Sequence, residues 1–100
     1  AARLLVHGAA RSGIADPHGF PTMAATARAK LYAAEMALRV TNAALQLFGA
    51  NGYGRELPLE RMVRDARMFT IGGGTAEMLR NQIAQELLRS TRATAEVAAA

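Results

Sequence analysis

Apolar residues recur at intervals of three and four positions through the middle of the chain. Between Thr22 and Phe48 they form a continuous stripe, and further apolar residues widen it beyond one face. The stripe consists of Ala27, Leu31, Ala34, Leu38, Thr41, Leu45 and Phe48. This spacing is that of an amphipathic helix, and Thr22 is a suitable N-cap because its hydroxyl can accept from free backbone N–H groups. The pattern predicts one long helix over residues 22–48.

Shorter elements precede and follow this helix. Residues 1–12 have the pattern of the end of a helix, and residues 13–21 contain two prolines and two glycines, which predict a loop. The segment GANGYG, residues 49–54, interrupts the apolar stripe with glycines that can adopt positive φ. Pro58 then opens a short helix that we expect to end near residue 68.

A final helix is predicted from Thr75 to about Arg92. Its inward residues are expected to be Leu79, Ile83, Leu87 and Leu88. The alanine-rich tail, residues 93–100, is expected to fray. Because no segment has the alternation typical of a strand, the sequence predicts an all-α protein, an antiparallel helical bundle with residues 1–92 as one domain.

The composition narrows the possible functions. Cysteine is absent from the 100 residues, which excludes a disulfide framework and thiolate zinc sites. The net charge is +4, but the arginines are spread along the chain among acids, so nucleic acid is not an expected partner. No apolar run approaches the length of a membrane span, and we expect a cytoplasmic protein. The broad apolar stripes favour association, so we expect a homo-oligomer.

Most chemical motifs are missing. GANGYG follows a helix where a dinucleotide fingerprint needs a strand, and no lysine follows GGGT as it would in a P-loop. His7 and His18 are the only histidines, too few for a metal site or a catalytic triad. We therefore predict no metal ligands.

Two places remain as candidate sites. In TIGGGTAEM, residues 70–78, glycines leave the main chain bare, and Thr75 either serves only as an N-cap or begins a helix whose free N–H groups bind an anion. Gln46 lies one turn before the glycine-rich break, where it is either an ordinary surface glutamine or an amide donor beside exposed backbone.

Three motifs together resemble one known family. QLFGANGYG, RELPLERMVRDARM and IGGGTAEMLRNQIA occur in the order and at the spacing of the C-terminal helical domain of acyl-CoA dehydrogenases. The resemblance covers about residues 25–88, and residues 1–13 resemble the end of the preceding helix of that domain.

The resemblance implies an oxidoreductase of fatty acid metabolism. Members of this family bind FAD, oxidise acyl-CoA to 2-enoyl-CoA, and pass electrons to an electron-transferring flavoprotein. They are commonly dimers or tetramers. By the resemblance, Thr75 and Glu77 would contact the FAD of their own subunit, and Gly73 and Gly74 would lie beside the substrate thioester. The residues implied to contact the FAD of a neighbouring subunit are Gln46, Leu47, Phe48, Gly49 and Ala50.

The sequence departs from the family in two respects. Many members carry their catalytic glutamate where this chain has Gly73, and glycine cannot accept a proton. The chain resembles instead the branch that includes isovaleryl-CoA dehydrogenase, which supplies the base from an earlier helix, here expected upstream of residue 1. We therefore predict no catalytic residue within the chain, and expect a fragment that is inactive alone. The alternative is a non-catalytic helical oligomerisation module.

Overall fold

The computed structural model describes residues 1–99 and consists of four helices. They are α1 (Ala2–Ser12), α2 (Met23–Tyr53), α3 (Leu59–Met68) and α4 (Ala76–Ala99). Helix α2 is the centre of the fold: α1, α3 and α4 each pack against it, and within the described residues no other pair of helices is in contact. The predicted all-α class is confirmed.

The core of the domain consists mainly of alanine. The buried apolar residues are Ala9, Ala24, Ala27, Ala29, Ala34, Ala66, Ala76 and Leu79. Small side chains at the contacts let helix axes approach closely, whereas most of the larger apolar residues are half-buried or exposed. Leu47 is 87% exposed and Leu4 is 76% exposed. Exposed apolar area on this scale is typical of a surface that a partner covers.

Helix α2 begins as predicted and continues past its predicted end. The N–H of Ala25 donates to the Thr22 hydroxyl at 3.3 Å, which makes Thr22 the N-cap. Gly49 interrupts the helix with φ 55° and ψ −133°, where the sequence predicted a break. One further turn follows, because the N–H of Gly54 still donates to the carbonyl of Ala50 at 3.1 Å. Residue 48 is therefore the last residue before a kink rather than the end of the helix.

Helix α4 is longer than predicted, and its second half is unpacked. The prediction that the helix ends near Arg92 is too short, since the helix reaches Ala99. Alanine has the highest helix propensity, which explains this extension. Every residue from 84 to 99 is exposed. The predicted inward positions Leu87 and Leu88 are therefore wrong within this chain. The predicted frayed tail includes residue 100, which lies outside the described residues.

Among residues 1–99, no helix combines the length and the apolar character that crossing a membrane requires.

Candidate functional site

The connection between α3 and α4 contains the glycine hinge, defined as residues 72–74. Gly73 has φ 68° and Gly74 has φ 91°, a region that side-chain-bearing residues rarely adopt. The N–H of Ala76 donates to the carbonyl of Thr70 at 3.1 Å, so a main-chain hydrogen bond joins the two sides of the hinge. Gly73 and Gly74 are exposed, so their main chain is open to a ligand.

The space available for a side chain differs between the two exposed glycines of the hinge. A Cβ added at Gly73 would have only one neighbour within 4 Å, the Lys30 Cε at 3.9 Å. A Cβ at Gly74 would lie 3.4 Å from a methyl carbon of Leu79. Within this chain glycine is thus required at position 73 by backbone conformation rather than by crowding. The open space beside Gly73 is large enough for an approaching ligand atom.

Lys30 on α2 hydrogen-bonds to the main chain of the hinge. Its ammonium group lies 2.8 Å from the carbonyl oxygens of both Gly72 and Gly74, and it also donates to the carbonyl of Phe69. The three N–H donors of one lysine thus meet three acceptors from a segment about 40 residues later in the chain. Lys30 was not among the site residues predicted from the sequence. Its one distinguishing signal is that it is the only lysine in the chain.

Thr75 and Glu77 begin α4 directly after the hinge. The N–H of Met78 donates to the Thr75 hydroxyl at 3.3 Å, so Thr75 is an N-cap. The pKa of Glu77 lies below its ordinary value. The main cause is a hydrogen bond to the carboxylate from the backbone N–H of Glu77, and the second is a hydrogen bond from the Thr75 hydroxyl. A carboxylate at this position is also stabilised by the positive end of the helix dipole. The capping role and a ligand-binding role of Thr75 remain compatible.

Thr75 and Glu77 also line a cleft of about 370 Å³ between α2, the end of α3 and α4. Its charged residues are Glu35, Arg39, Arg67, Glu77 and Arg80. Ligand pockets commonly have volumes of roughly 300–1,000 Å³, so the cleft is of suitable size for part of a ligand. Its arginines are suitable donors for phosphate or other anionic oxygens.

The second predicted group lies far from the hinge. Gln46, Leu47, Phe48, Gly49 and Ala50 are all exposed near the C-terminal end of α2. Gly49 lies 19 residues beyond Lys30, which corresponds to about 28 Å along the helix. The structure therefore brings Gly73, Gly74, Thr75 and Glu77 together and leaves the other five residues as a separate surface.

The hinge supplies no acid–base group. Residues 72–74 have no side chains, and the three donors of Lys30 already meet carbonyl oxygens. The main-chain N–H groups of the hinge are available to a ligand. Those of Gly73, Gly74 and Thr75 have no acceptor within the described part of the chain. The site can therefore bind and orient a ligand oxygen, while proton transfer needs a group from elsewhere.

Comparison with known proteins identifies the domain. The family model described as the C-terminal domain of acyl-CoA dehydrogenases matches residues 1–88 of this four-helix domain. The chain belongs to the acyl-CoA dehydrogenase family. The family predicted from the three sequence motifs is confirmed.

The relatives include enzymes of two named activities. The 3-sulfinopropanoyl-CoA desulfinase of Paraburkholderia xenovorans is 64% identical over 88 residues, which are 88% of this chain and 22% of that protein. The short-chain specific acyl-CoA dehydrogenase of Clostridium acetobutylicum is 44% identical over 88 residues, again 22% of its length. The chain thus spans about a fifth of the length of these curated relatives.

A solved structure has the same fold. A chain from the structure described as the electron transferring flavoprotein of Acidaminococcus fermentans superposes with a TM-score of 0.79 and 39% sequence identity. The match covers 88% of this chain and 22% of the other. This similarity supports both the four-helix architecture and the relationship by descent.

Proposed function

We propose that this chain is the C-terminal portion of an FAD-dependent enzyme that acts on an acyl-CoA thioester. The observation that carries the proposal is the exposed glycine hinge, which presents unpartnered N–H groups beside a cleft containing Thr75 and Glu77. Family membership supports FAD as the cofactor and an acyl-CoA as the class of substrate. The expected cytoplasmic location stays a prediction.

We assign separate tasks to the start of α4 with the hinge and to the C-terminal end of α2. Thr75 and Glu77 would hold the FAD of their own subunit, and the open space at Gly73 and Gly74 would admit the thioester end of the substrate. Gln46 and the exposed residues to Ala50 would contact the FAD of a neighbouring subunit. Lys30, which contacts the hinge, lies about 28 Å along α2 from Gly49, and this spacing favours separate contacts for the hinge and for the residues around Gly49.

The residues fit the cofactor in chemical type. Oriented N–H groups and arginines suit the phosphate and carbonyl oxygens of FAD, and the exposed amide of Gln46 can donate and accept. When bound, FAD would supply the two-electron chemistry that no side chain of this domain provides. The role of the domain is binding and orientation.

For the reaction, we favour removal of the sulfino group from a 3-sulfinoacyl-CoA. The relatives named as desulfinases have higher identity than those named as dehydrogenases, and Gly73 cannot remove an α proton. In this reaction the C–S bond breaks, the carbon gains a hydrogen, and the sulfur leaves as sulfite with an oxygen from water. No external electron acceptor is consumed.

Dehydrogenation of an acyl-CoA to the 2-enoyl-CoA is the second candidate. The relatives named as acyl-CoA dehydrogenases favour it. It would require a carboxylate base from outside these 100 residues, and an electron-transferring flavoprotein to accept the electrons. The resemblance to the branch that includes isovaleryl-CoA dehydrogenase concerns the source of this base, and the origin of the base from an earlier helix stays a prediction.

One experiment separates the two reactions. The polypeptide encoded by the complete reading frame that contains these residues is purified, its flavin absorbance is recorded, and it is incubated with 3-sulfinopropanoyl-CoA or with butanoyl-CoA and isovaleryl-CoA plus an artificial electron acceptor. Sulfite release without acceptor reduction supports desulfination, whereas acceptor reduction with the simple acyl-CoA esters supports dehydrogenation. A flavin-free protein with neither activity contradicts the proposal.

The alternative is a helical module that serves only in oligomerisation. The exposed apolar residues of α2 and α4 favour self-association, and a dimer or tetramer is expected under either interpretation. A colourless protein that is oligomeric in analytical ultracentrifugation supports the module. A yellow oligomer that retains FAD through gel filtration supports the enzyme.

A further inference from the structure

Within residues 1–99, Lys30 is the one charged side chain that hydrogen-bonds to the hinge backbone. Its ammonium group donates to the carbonyls of Phe69, Gly72 and Gly74, which lie 39, 42 and 44 residues away in sequence. Phe69 is the C-cap residue of α3, where free carbonyls form the negative end of the helix dipole. A single cation thus joins α2 to the end of α3 and to the hinge.

The contacts of Lys30 also determine which way the hinge amides point. In a trans peptide group the N–H points opposite to the C=O, and the described chain has no cis peptide bond. Because the carbonyls of Gly72 and Gly74 point to Lys30, the N–H groups of Gly73 and Thr75 point away from it. Both of these N–H groups lack an acceptor in the described residues.

We propose that Lys30 is a positioning residue of the acyl-CoA site, which fixes the glycine hinge by holding its carbonyls so that the opposite N–H groups face the ligand. The proposal rests on the function proposed above for the hinge. Lys30 does not touch the ligand and acts only through the main chain. Two successive glycines with positive φ have wide conformational freedom, so the hinge needs such an external constraint.

Arginine cannot replace lysine in this role. The three acceptors converge on one nitrogen, which matches the tetrahedral ammonium group, whereas the donors of a guanidinium are spread over a plane. The chain uses arginine at its other eleven cationic positions. The requirement of three convergent donors at position 30 explains why a lysine occurs there.

The test compares Lys30→Met and Lys30→Arg in the polypeptide encoded by the complete reading frame. Arg28→Met is the matched control, because Arg28 is an exposed cation on the same helix outside the hinge. Amide hydrogen exchange of peptides that cover residues 69–78 is measured without substrate. Both Lys30 variants should exchange about tenfold faster there than the wild type, and Arg28→Met should not.

The same variants are then assayed with the acyl-CoA that the wild type uses. At equal flavin content, kcat/KM of both Lys30 variants should fall by about a hundredfold, since small misplacements of an orienting group have effects of this size. A fall in thermal stability with unchanged hinge exchange and unchanged kcat/KM per flavin would show a merely structural role and overturn the proposal.

The outcomes keep the two proposals apart. If the wild type has no activity on any acyl-CoA, the proposed function fails, and with it the role of Lys30 in the site. If the wild type is active but Lys30→Arg matches it in both hinge exchange and kcat/KM, only the role of Lys30 fails.

Discussion

The guanidinium group of Arg80 on α4 pairs with the carboxylate of Glu35 on α2, and the two residues line the cleft that contains Thr75. The pair connects residues 45 positions apart and ties the start of α4 to the middle of α2. The two side chains are 52% and 39% exposed, so water screens their attraction.

This exposure leads to a prediction for the pair. In a double-mutant cycle with Glu35→Gln and Arg80→Met, the coupling free energy should be about 0.5 kcal/mol, as for other exposed pairs. It is measured from urea unfolding at low salt and again in about 1 M NaCl, where it should approach zero. A coupling above about 2 kcal/mol, or one that salt does not change, would contradict this assignment.

Thr75 should affect both stability and FAD binding. Thr75→Ala removes the N-cap of α4 and should lower the free energy of unfolding by about 1 kcal/mol. Under the proposed function it should also weaken FAD binding. The matched control is Thr22→Ala, which removes the N-cap of α2 at the same 3.3 Å hydrogen-bond distance. If both variants retain FAD equally well in ultrafiltration, Thr75 is only a cap.

Gly73 should tolerate substitution poorly because of its φ of 68°. Gly73→Ala should lower the free energy of unfolding by about 1 to 2 kcal/mol. Gly8→Ala provides the control: Gly8 lies within α1, a Cβ there would meet nothing within 4 Å, and the change should stabilise the protein by up to about 1 kcal/mol. The free energies of unfolding of both variants are measured in urea. If the two substitutions change this free energy equally and in the same direction, Gly73 is not strained.

A larger side chain at the same position tests the ligand space. Gly73→Leu should abolish activity on acyl-CoA while leaving FAD absorbance, because the side chain would occupy the open space beside the hinge. Gly73→Ala separates backbone strain from this steric effect. The prediction fails if the leucine variant keeps the activity of the alanine variant.

The carboxyl group of Glu77 gives a pH dependence with a definite sign. Its pKa in the folded state is lowered by its own backbone N–H and the Thr75 hydroxyl, so folding stabilises the charged form. This contribution is present above the unfolded pKa, near 4.5, and is lost as the pH falls through the lower folded pKa. The urea midpoint should therefore fall on acidification below about pH 5, and fall less steeply in Glu77→Gln.

The short helices were the most predictable elements. Their predicted ranges, 1–12 and 58–68, differ by only one residue at the start from α1 and α3. These boundaries are set by local signals, namely the apolar pattern, Gly13 after α1 and Pro58 before α3. Because the signals are local, the boundaries can be predicted without knowledge of distant contacts. The boundaries of α2 and α4 were less predictable, because helical hydrogen bonds continue past the kink at Gly49 and alanine propensity extends α4 beyond Arg92.

Some residues of the candidate site could be predicted from the sequence, and others could not. Three motifs together identified the family, and through this resemblance the motif at the hinge pointed to Gly73, Thr75 and Glu77. Lys30 could not be found from the sequence, because its partners lie 39 to 44 residues later in the chain. These partners are backbone carbonyl oxygens, which every residue has, so the residue types do not reveal them. The roles of Gln46 to Ala50 stay predictions that depend on a neighbouring subunit.

The amino-acid sequence by itself determined the helices, the positions of their breaks and the family, because periodicity, propensity and motif spacing act over a few residues. The tertiary structure alone decided that seven alanines and Leu79 form the buried core, that Leu87 and Leu88 remain exposed, and that Lys30 meets the carbonyls of the hinge. These features depend on which helix faces lie together, and packing of distant segments sets that arrangement.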